Sequence, residues 1–170
     1  MEVFQYDWLG VFIDVTNHRK QVIINNPDAL NCLFTEFHND IWAGYNNRHY
    51  DQYIFKGILL GMDPKKINDF IILQNMEGWQ FSREFNRIQM INYDVMPNPP
   101  IGLKTIEGFM GSNIKETDVP FDIDRPLTDE EIKQTVKYCT HDVEQTIKKF
   151  LFSIDEFNAM YGIVKAFPKM

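Results

Sequence analysis

The apolar positions of this chain recur at strand spacing near its start and at helical spacing over most of the remainder. Glu2 to Phe4 reads as a strand fragment, and Trp8 to Asp14, rich in Val, Ile and aromatic residues, as a full strand. Asn17-His18-Arg19 is a turn and Gln21 to Asn25 the strand returning from it, so the chain opens on a hairpin. Asn26 and Pro27 are cap and first-turn residues for a helix over about Asp28 to His38, with a stripe of Leu30, Leu33, Phe34 and Phe37. Ile41 to Tyr45 is a short strand. A helix from Tyr50 to Leu60 turns Tyr50, Ile54 and Ile58 inward and stops at Gly61; another starts at Asp63-Pro64 and reaches about Gln74. Met76 to Ser82 carries no clear period, and Gln89 to Met96 is the next strand, ended by Pro97-Asn98-Pro99-Pro100. Leu103 to Met110 is a short helix stopped by Gly111, and Ser112 to Leu127 is an irregular connection with several acids.

The longest pattern comes last. Ile132, Val136, Cys139, Val143, Ile147 and Phe150 recur at steps of three and four, predicting one buried stripe on a helix from Leu127 to Phe152. Thr128 and Glu131 form its capping box, and Ser153 with Glu156 caps a final helix to about Phe167, ended by Pro168. A hairpin followed by strands alternating with helices gives an α/β fold, a mixed sheet with helices on its faces.

Composition narrows the function classes. With 170 residues and 44% apolar side chains the chain can fill one core, which argues against disorder. A net charge of -7 and a pI near 5.0 argue against a broad basic face for nucleic acid, because phosphate neutralisation needs clustered Lys and Arg. Any nucleic acid has to be gripped locally, and the acidity suits a site that holds divalent cations on carboxylates. Cys32 and Cys139 lie at apolar helical positions without a CxxC partner, and read as reduced core residues of a cytoplasmic protein. No apolar run reaches membrane-spanning length and the amino terminus lacks a signal pattern, so no membrane partner is expected.

Two motifs carry chemistry. Tyr138 and Asp142, four residues apart, stack on one side of the long helix at the edge of its buried stripe. Upstream, Asn47-Arg48-His49-Tyr50-Asp51 follows a short strand and opens an apolar helix. Alone, Tyr-x-x-x-Asp is usually a half-buried aromatic beside a solvated carboxylate. In this order and at this separation the pair resembles the second and third motifs of the DEDDy-type 3′-to-5′ exonuclease domains that proofread for DNA polymerases, Asn-x-x-(Phe/Tyr)-Asp and Tyr-x-x-x-Asp. Met1-Glu2-Val3-Phe4 resembles the end of the first motif, Asp-x-Glu, with Glu2 at the glutamate and no counterpart for the aspartate. Asn92-Tyr93-Asp94, Gly102-Leu103-Lys104 and Asp124-Arg125-Pro126 narrow the resemblance to the protein-primed family B DNA polymerases of phages and prophages, which carry a catalytic lysine where Ile123 stands.

The resemblance covers about Glu2 to Phe152. It implies a ribonuclease H-like mixed β-sheet flanked by helices over residues 1–152, with its first, central strand truncated at the N-terminus. Residues 153–170 would be a C-terminal helix that in relatives leads to a polymerase domain. It also implies two divalent cations, Mg²⁺ or Mn²⁺, which activate water and stabilise charge as phosphodiesters are hydrolysed from the 3′ end of single-stranded DNA. By the same resemblance Glu2, Asp51 and Asp142 are metal ligands and, with Tyr138 orienting the attacking water, the catalytic set; Asn47, Tyr50 and Arg48 meet the substrate. The missing aspartate leaves a second reading open, a non-catalytic phage-derived binding module that engages nucleic acid or a protein partner on the same scaffold. A shortened central strand also leaves a sheet edge on which a homodimer could form. His49 and His141 read as polar neighbours of the cleft, since hard cations prefer oxygen. Asp94 reads as a loop cap and Trp8, Trp42 and Trp79 as core. Glu116, Asp118, Asp122 and Asp124 read as solvated acids whose spacing fits no calcium loop.

Overall fold

Alternation along the first hairpin decides how the chain is layered. The computed structural model describes residues 1–112 and 119–167. Strands β1 (Glu2–Val3), β2 (Trp8–Ile13) and β3 (Lys20–Ile24) form an antiparallel sheet with β2 in the middle, Glu2 opposite Leu9 and Leu9 opposite Ile24. Leu9 and Val11 pack on Cys139 of the long helix, while Val3, Trp8, Phe12 and Ile23 join a second cluster on the other face. The sheet is therefore covered on both sides, and its central strand is buried from Trp8 to Val11.

The second cluster holds helices α1 (Pro27–Glu36), α2 (Asp51–Leu59) and α3 (Pro64–Ile72). Leu30, Ile54 and Ile67 are fully buried within it, each contributing about 1.5–3 kcal/mol through burial. Trp42 meets Phe55 at 5.1 Å and Phe12 at 6.1 Å between ring centroids, which ties the first sheet to strand β4 (Ile41–Gly44). The helix starts follow local chemistry. Asn26 accepts from the Ala29 N–H at 2.9 Å, Asp63 from the Lys65 N–H at 2.9 Å, and Pro27 and Pro64 occupy the first turns. Gly61, at φ 72°, follows the end of α2 in the left-handed conformation that a β-carbon resists.

Strand β4 pairs in parallel with β5 (Ile91–Asp94), Gly44 opposite Asp94. The described residues thus form two sheets, one of three strands and one of two, where a single mixed sheet was expected. With only two residues, β1 has little backbone to offer a further neighbour. Helix α4 (Leu103–Phe109) leads by way of residues 113–118 to the long helix α5 (Asp129–Phe152), and α6 (Ile154–Ala166) follows. Thr128 accepts from the Glu131 N–H at 3.3 Å and Glu131 from the Thr128 N–H at 2.8 Å, the expected capping box.

Several local expectations need correction. Met76 to Ser82 includes a 3₁₀ turn, Gly78–Gln80, and Trp79 on it is 62% exposed, not core. Cys32 is exposed because α1 buries only Leu30 and Leu33, whereas Cys139 is buried. On α5 the buried residues include Thr135, His141 and Gln145 beside Cys139, since α4 as well as β2 lies against the helix. Ser153 does not cap α6 with its side chain; its hydroxyl accepts from Lys149. Asp122 and Asp124 are exposed as expected, and Glu116 and Asp118 lie outside the described residues. Among the described residues, no helix is long and apolar enough to cross a membrane.

Candidate active site

Strand register carries the first motif to the long helix. Glu2 is the register partner of Leu9 and so shares its face of the sheet, and Leu9 packs on Cys139, which follows Tyr138 and precedes Asp142 by less than a turn. Asp51 opens α2, where unpaired N–H groups and the helix dipole favour a carboxylate. The amino nitrogen of Met1 lies 2.5 Å from Asp51 Oδ1.

Charge in this cluster is unbalanced. Burial raises the Glu2 carboxyl from its ordinary 4.5 to about 7, with the charges of Asp51 and Asp142 adding to the rise and the Met1 amine and Lys104 opposing it. Burial by itself would lower the Met1 amine, but Asp51 above all holds it up at about 11. Tyr138 is pushed up by burial, by the charges of Asp142 and Glu2, and by a hydrogen bond to Asp142, so its hydroxyl stays a donor at neutral pH. Burial pushes the Cys139 thiol up to about 11, which leaves it an inert core group.

Two residues that sequence reading gave no role complete the cluster. Lys104 Nζ lies 2.6 Å from Asp142 Oδ1, 3.2 Å from Glu107 Oε1 and 4.9 Å from the Tyr138 ring centroid. Glu107 is fully buried, its other oxygen 3.4 Å from Nε2 of His141. One signal was available: Lys104 and Glu107 are three apart on a short helix, and Glu107 adjoins the inward Ile106, an unusual place for a free acid.

The loop that delivers Asp51 is built from polar contacts. Asn46 sits at φ 59°, a conformation Asn tolerates. Asp94 Oδ1 accepts from the Asn46 and Met96 N–H groups, each at 3.0 Å, and Oδ2 from the Arg48 N–H at 2.9 Å, so Asp94 is the loop cap expected of it. Asn47, expected at the substrate, is turned inward: its amide donates to Asn92 Oδ1 at 2.5 Å and to the Trp42 carbonyl at 3.4 Å. Gly44 makes room for it, since a β-carbon there would lie 2.9 Å from that of Asn47. Tyr50 likewise donates to Asn68 at 2.7 Å. Arg48 is exposed, and His49, 3.6 Å from Glu77, is exposed with it.

Glu2 feels the charges of Asp51, Asp142 and Lys104, and Tyr138 those of Asp142 and Glu2, whereas Asn47 and Tyr50 are tied into the scaffold. Glu2 and Asp51 do not fall with Asp142 in a group whose ligand atoms all lie within 4.8 Å of one another; among the described residues the group that does is Glu107, His141 and Asp142. Compared with known protein families, curated proteins and solved structures, the chain has no match.

Proposed function

We propose that this chain is a metal-dependent 3′-to-5′ exonuclease domain on a ribonuclease H-like scaffold, of the kind carried by phage and prophage DNA polymerases. The observation that carries this reading is the convergence of Glu2, Asp51, Tyr138 and Asp142, from strand, helix start and long helix, into one charge-deficient cluster. An opening hairpin followed by a parallel strand pair, with α5 across the hairpin sheet, supports the scaffold.

Divalent cations suit the donor set, because a carboxylate raised to about 7 by burial, with the Asp51 and Asp142 charges adding, gains from nearby positive charge. Glu2, Asp51 and Asp142 would hold them, and when bound the ions would activate water and stabilise charge at the scissile phosphate. Tyr138 keeps its proton on Asp142, and its hydroxyl oxygen would accept from the attacking water, fixing the direction of attack. Lys104, beside Asp142, adds a positive charge that favours a phosphate at the cluster's edge.

A second reading, a binding module without catalysis, draws on a specific feature. The Met1 amine sits on Asp51 and the Lys104 ammonium on Asp142, so two of the three carboxylates already have cationic partners. The deciding assay is degradation of 5′-labelled single-stranded DNA in Mn²⁺, with Asp142→Ala as control. A ladder shrinking from the 3′ end, lost in the variant, supports the nuclease. Intact DNA after incubation with folded protein removes it in favour of the binding module.

A further inference from the structure

We propose that Glu107, His141 and Asp142 form a second cation site, selective for a borderline transition metal of the Zn²⁺ class, distinct from the Glu2 and Asp51 side of the cluster. Their ligand atoms, a carboxylate oxygen from α4 and an imidazole nitrogen and carboxylate oxygen from α5, all lie within 4.8 Å of one another. Two donors bonded to one zinc at about 2.0–2.2 Å in tetrahedral geometry stand roughly 3.4 Å apart. The Glu107 to His141 separation is already 3.4 Å, so side-chain movement by Asp142 suffices to close the set.

Three further observations point to a cation here. Lys104 has placed its ammonium on two of these donors, at 2.6 and 3.2 Å, so positive charge is stabilised at this point. Its side chain is 29% exposed and has a route to solvent if a metal takes its place. Gln145, only 3% exposed, lies one turn beyond His141 on the same helix face, and its amide oxygen has no hydrogen-bond partner among the described residues. A buried oxygen with unmet capacity one helical turn from His141 would supply a fourth ligand of the right chemistry.

Donor type sets the selectivity. Imidazole suits Zn²⁺, Co²⁺ and Ni²⁺, while Mg²⁺ prefers oxygen alone and keeps its waters. The site shares Asp142 with the proposed nuclease cluster; if that reading holds, Zn²⁺ bound here draws Asp142 away and inhibits. The site itself stands without the nuclease reading.

The test is Co²⁺ titration of the full, tag-free chain, read by visible absorption, with His141→Asn, Glu107→Gln, Lys104→Met and Glu130→Gln beside wild type. One equivalent should bind with the intense bands of a four-coordinate ion, weakened more than about tenfold in His141→Asn and Glu107→Gln, a loss already known for outer-shell partners. Lys104→Met should bind more tightly and Glu130→Gln, an exposed carboxylate elsewhere on α5, as wild type does. Zn²⁺ should displace Co²⁺ stoichiometrically while excess Mg²⁺ does not, a measurement on wild type that holds even if Glu107→Gln fails to fold. Unchanged binding in His141→Asn, displacement by Mg²⁺ as readily as by Zn²⁺, or no absorption at millimolar Co²⁺ would each overturn the site. Loss of nuclease activity in any variant leaves this readout untouched, so the two proposals fail separately.

Discussion

Glu2 gives the most direct access to the energetics of the cluster. Its carboxyl is raised from 4.5 to about 7, so the folded chain holds that proton more tightly than the unfolded chain. The sign is opposite to that of a salt-bridged carboxylate: stability is unaffected below the ordinary range, falls as pH rises from about 4.5 to 7, and is flat above. At 1.36 kcal/mol per pKa unit, raising the pH from about 5.5 to 8.5 costs wild type about 2 kcal/mol through this one group. Glu2→Gln, which resembles the protonated form, should lose none of it. For a chain of this size that is roughly 4–8 °C in melting temperature. The Met1 amine, at about 11, loses a smaller part of its own contribution over the same interval, and because the Glu2 charge helps hold it up, the comparison is cleanest below about pH 8, where the amine is protonated folded and unfolded. Melts followed by circular dichroism in chelator, at several pH values, measure the gap directly. Wild type should fall below the variant as pH rises and meet it in acid. Added Mn²⁺ should recover wild type at high pH, by about 2.7 kcal/mol at a hundredfold excess over its Kd, and leave Glu2→Gln behind. Parallel pH profiles for the two proteins would refute the reasoning.

Four other substitutions probe the rest of the molecule. Tyr138→Phe removes only the hydroxyl that would direct water, so single-stranded DNA degradation should drop by about 10² or more, the usual loss for a positioned catalytic group, while the melting temperature hardly moves. Gly57→Ala puts a β-carbon 2.1 Å from Cδ1 of Ile67 and must displace that fully buried side chain; a loss of about 1–3 kcal/mol in denaturant unfolding is expected. Thr128→Ala removes the cap of α5 and should cost about 1 kcal/mol. Hydrogen bonding by Arg125 foremost, and by Thr128, holds the Glu131 carboxyl down at about 2, so its stabilisation is present above the ordinary carboxylate range and is lost as pH falls; Arg125→Met should flatten the acid limb of the stability curve.

What was legible in the sequence was local. Asn26, Asp63 and the pair Thr128 and Glu131 each meet partners within three residues, so helix starts could be read from spacing alone. What depended on distant neighbours was not. Lys104 finds Asp142 38 positions away and Glu107 finds His141 34 away, and the local pattern, which marks Glu107 as an acid beside an inward Ile106, does not say which distant residue either one meets. Ser153 fell between the two cases: α5 and α6 are separated by that single residue, and Lys149 from the preceding turn claims its hydroxyl before it can cap the next helix. The division of the strands into two sheets escaped reading because pairing depends on length, and β1 has too few residues for periodicity to reveal its neighbours.

Glu2 shows why a site can still be legible where a fold is not. Its face of the hairpin is otherwise apolar, Leu9 opposite it and Val11 beyond, packed on Cys139, so alternation asks for an aliphatic residue at this position. A carboxylate there is penalised by burial and by two like charges, and no tertiary contact fully relieves it, as its raised pKa records. Local rules that fail without a structural gain mark positions kept for another purpose. The same test separates Glu2 from Asp94, whose carboxylate accepts three backbone N–H groups and is fully explained by the loop it holds. Glu107, fully buried yet paired with Lys104 at 3.2 Å and His141 at 3.4 Å, is the other acid on an inward face, and it is the residue whose purpose the Co²⁺ titration decides.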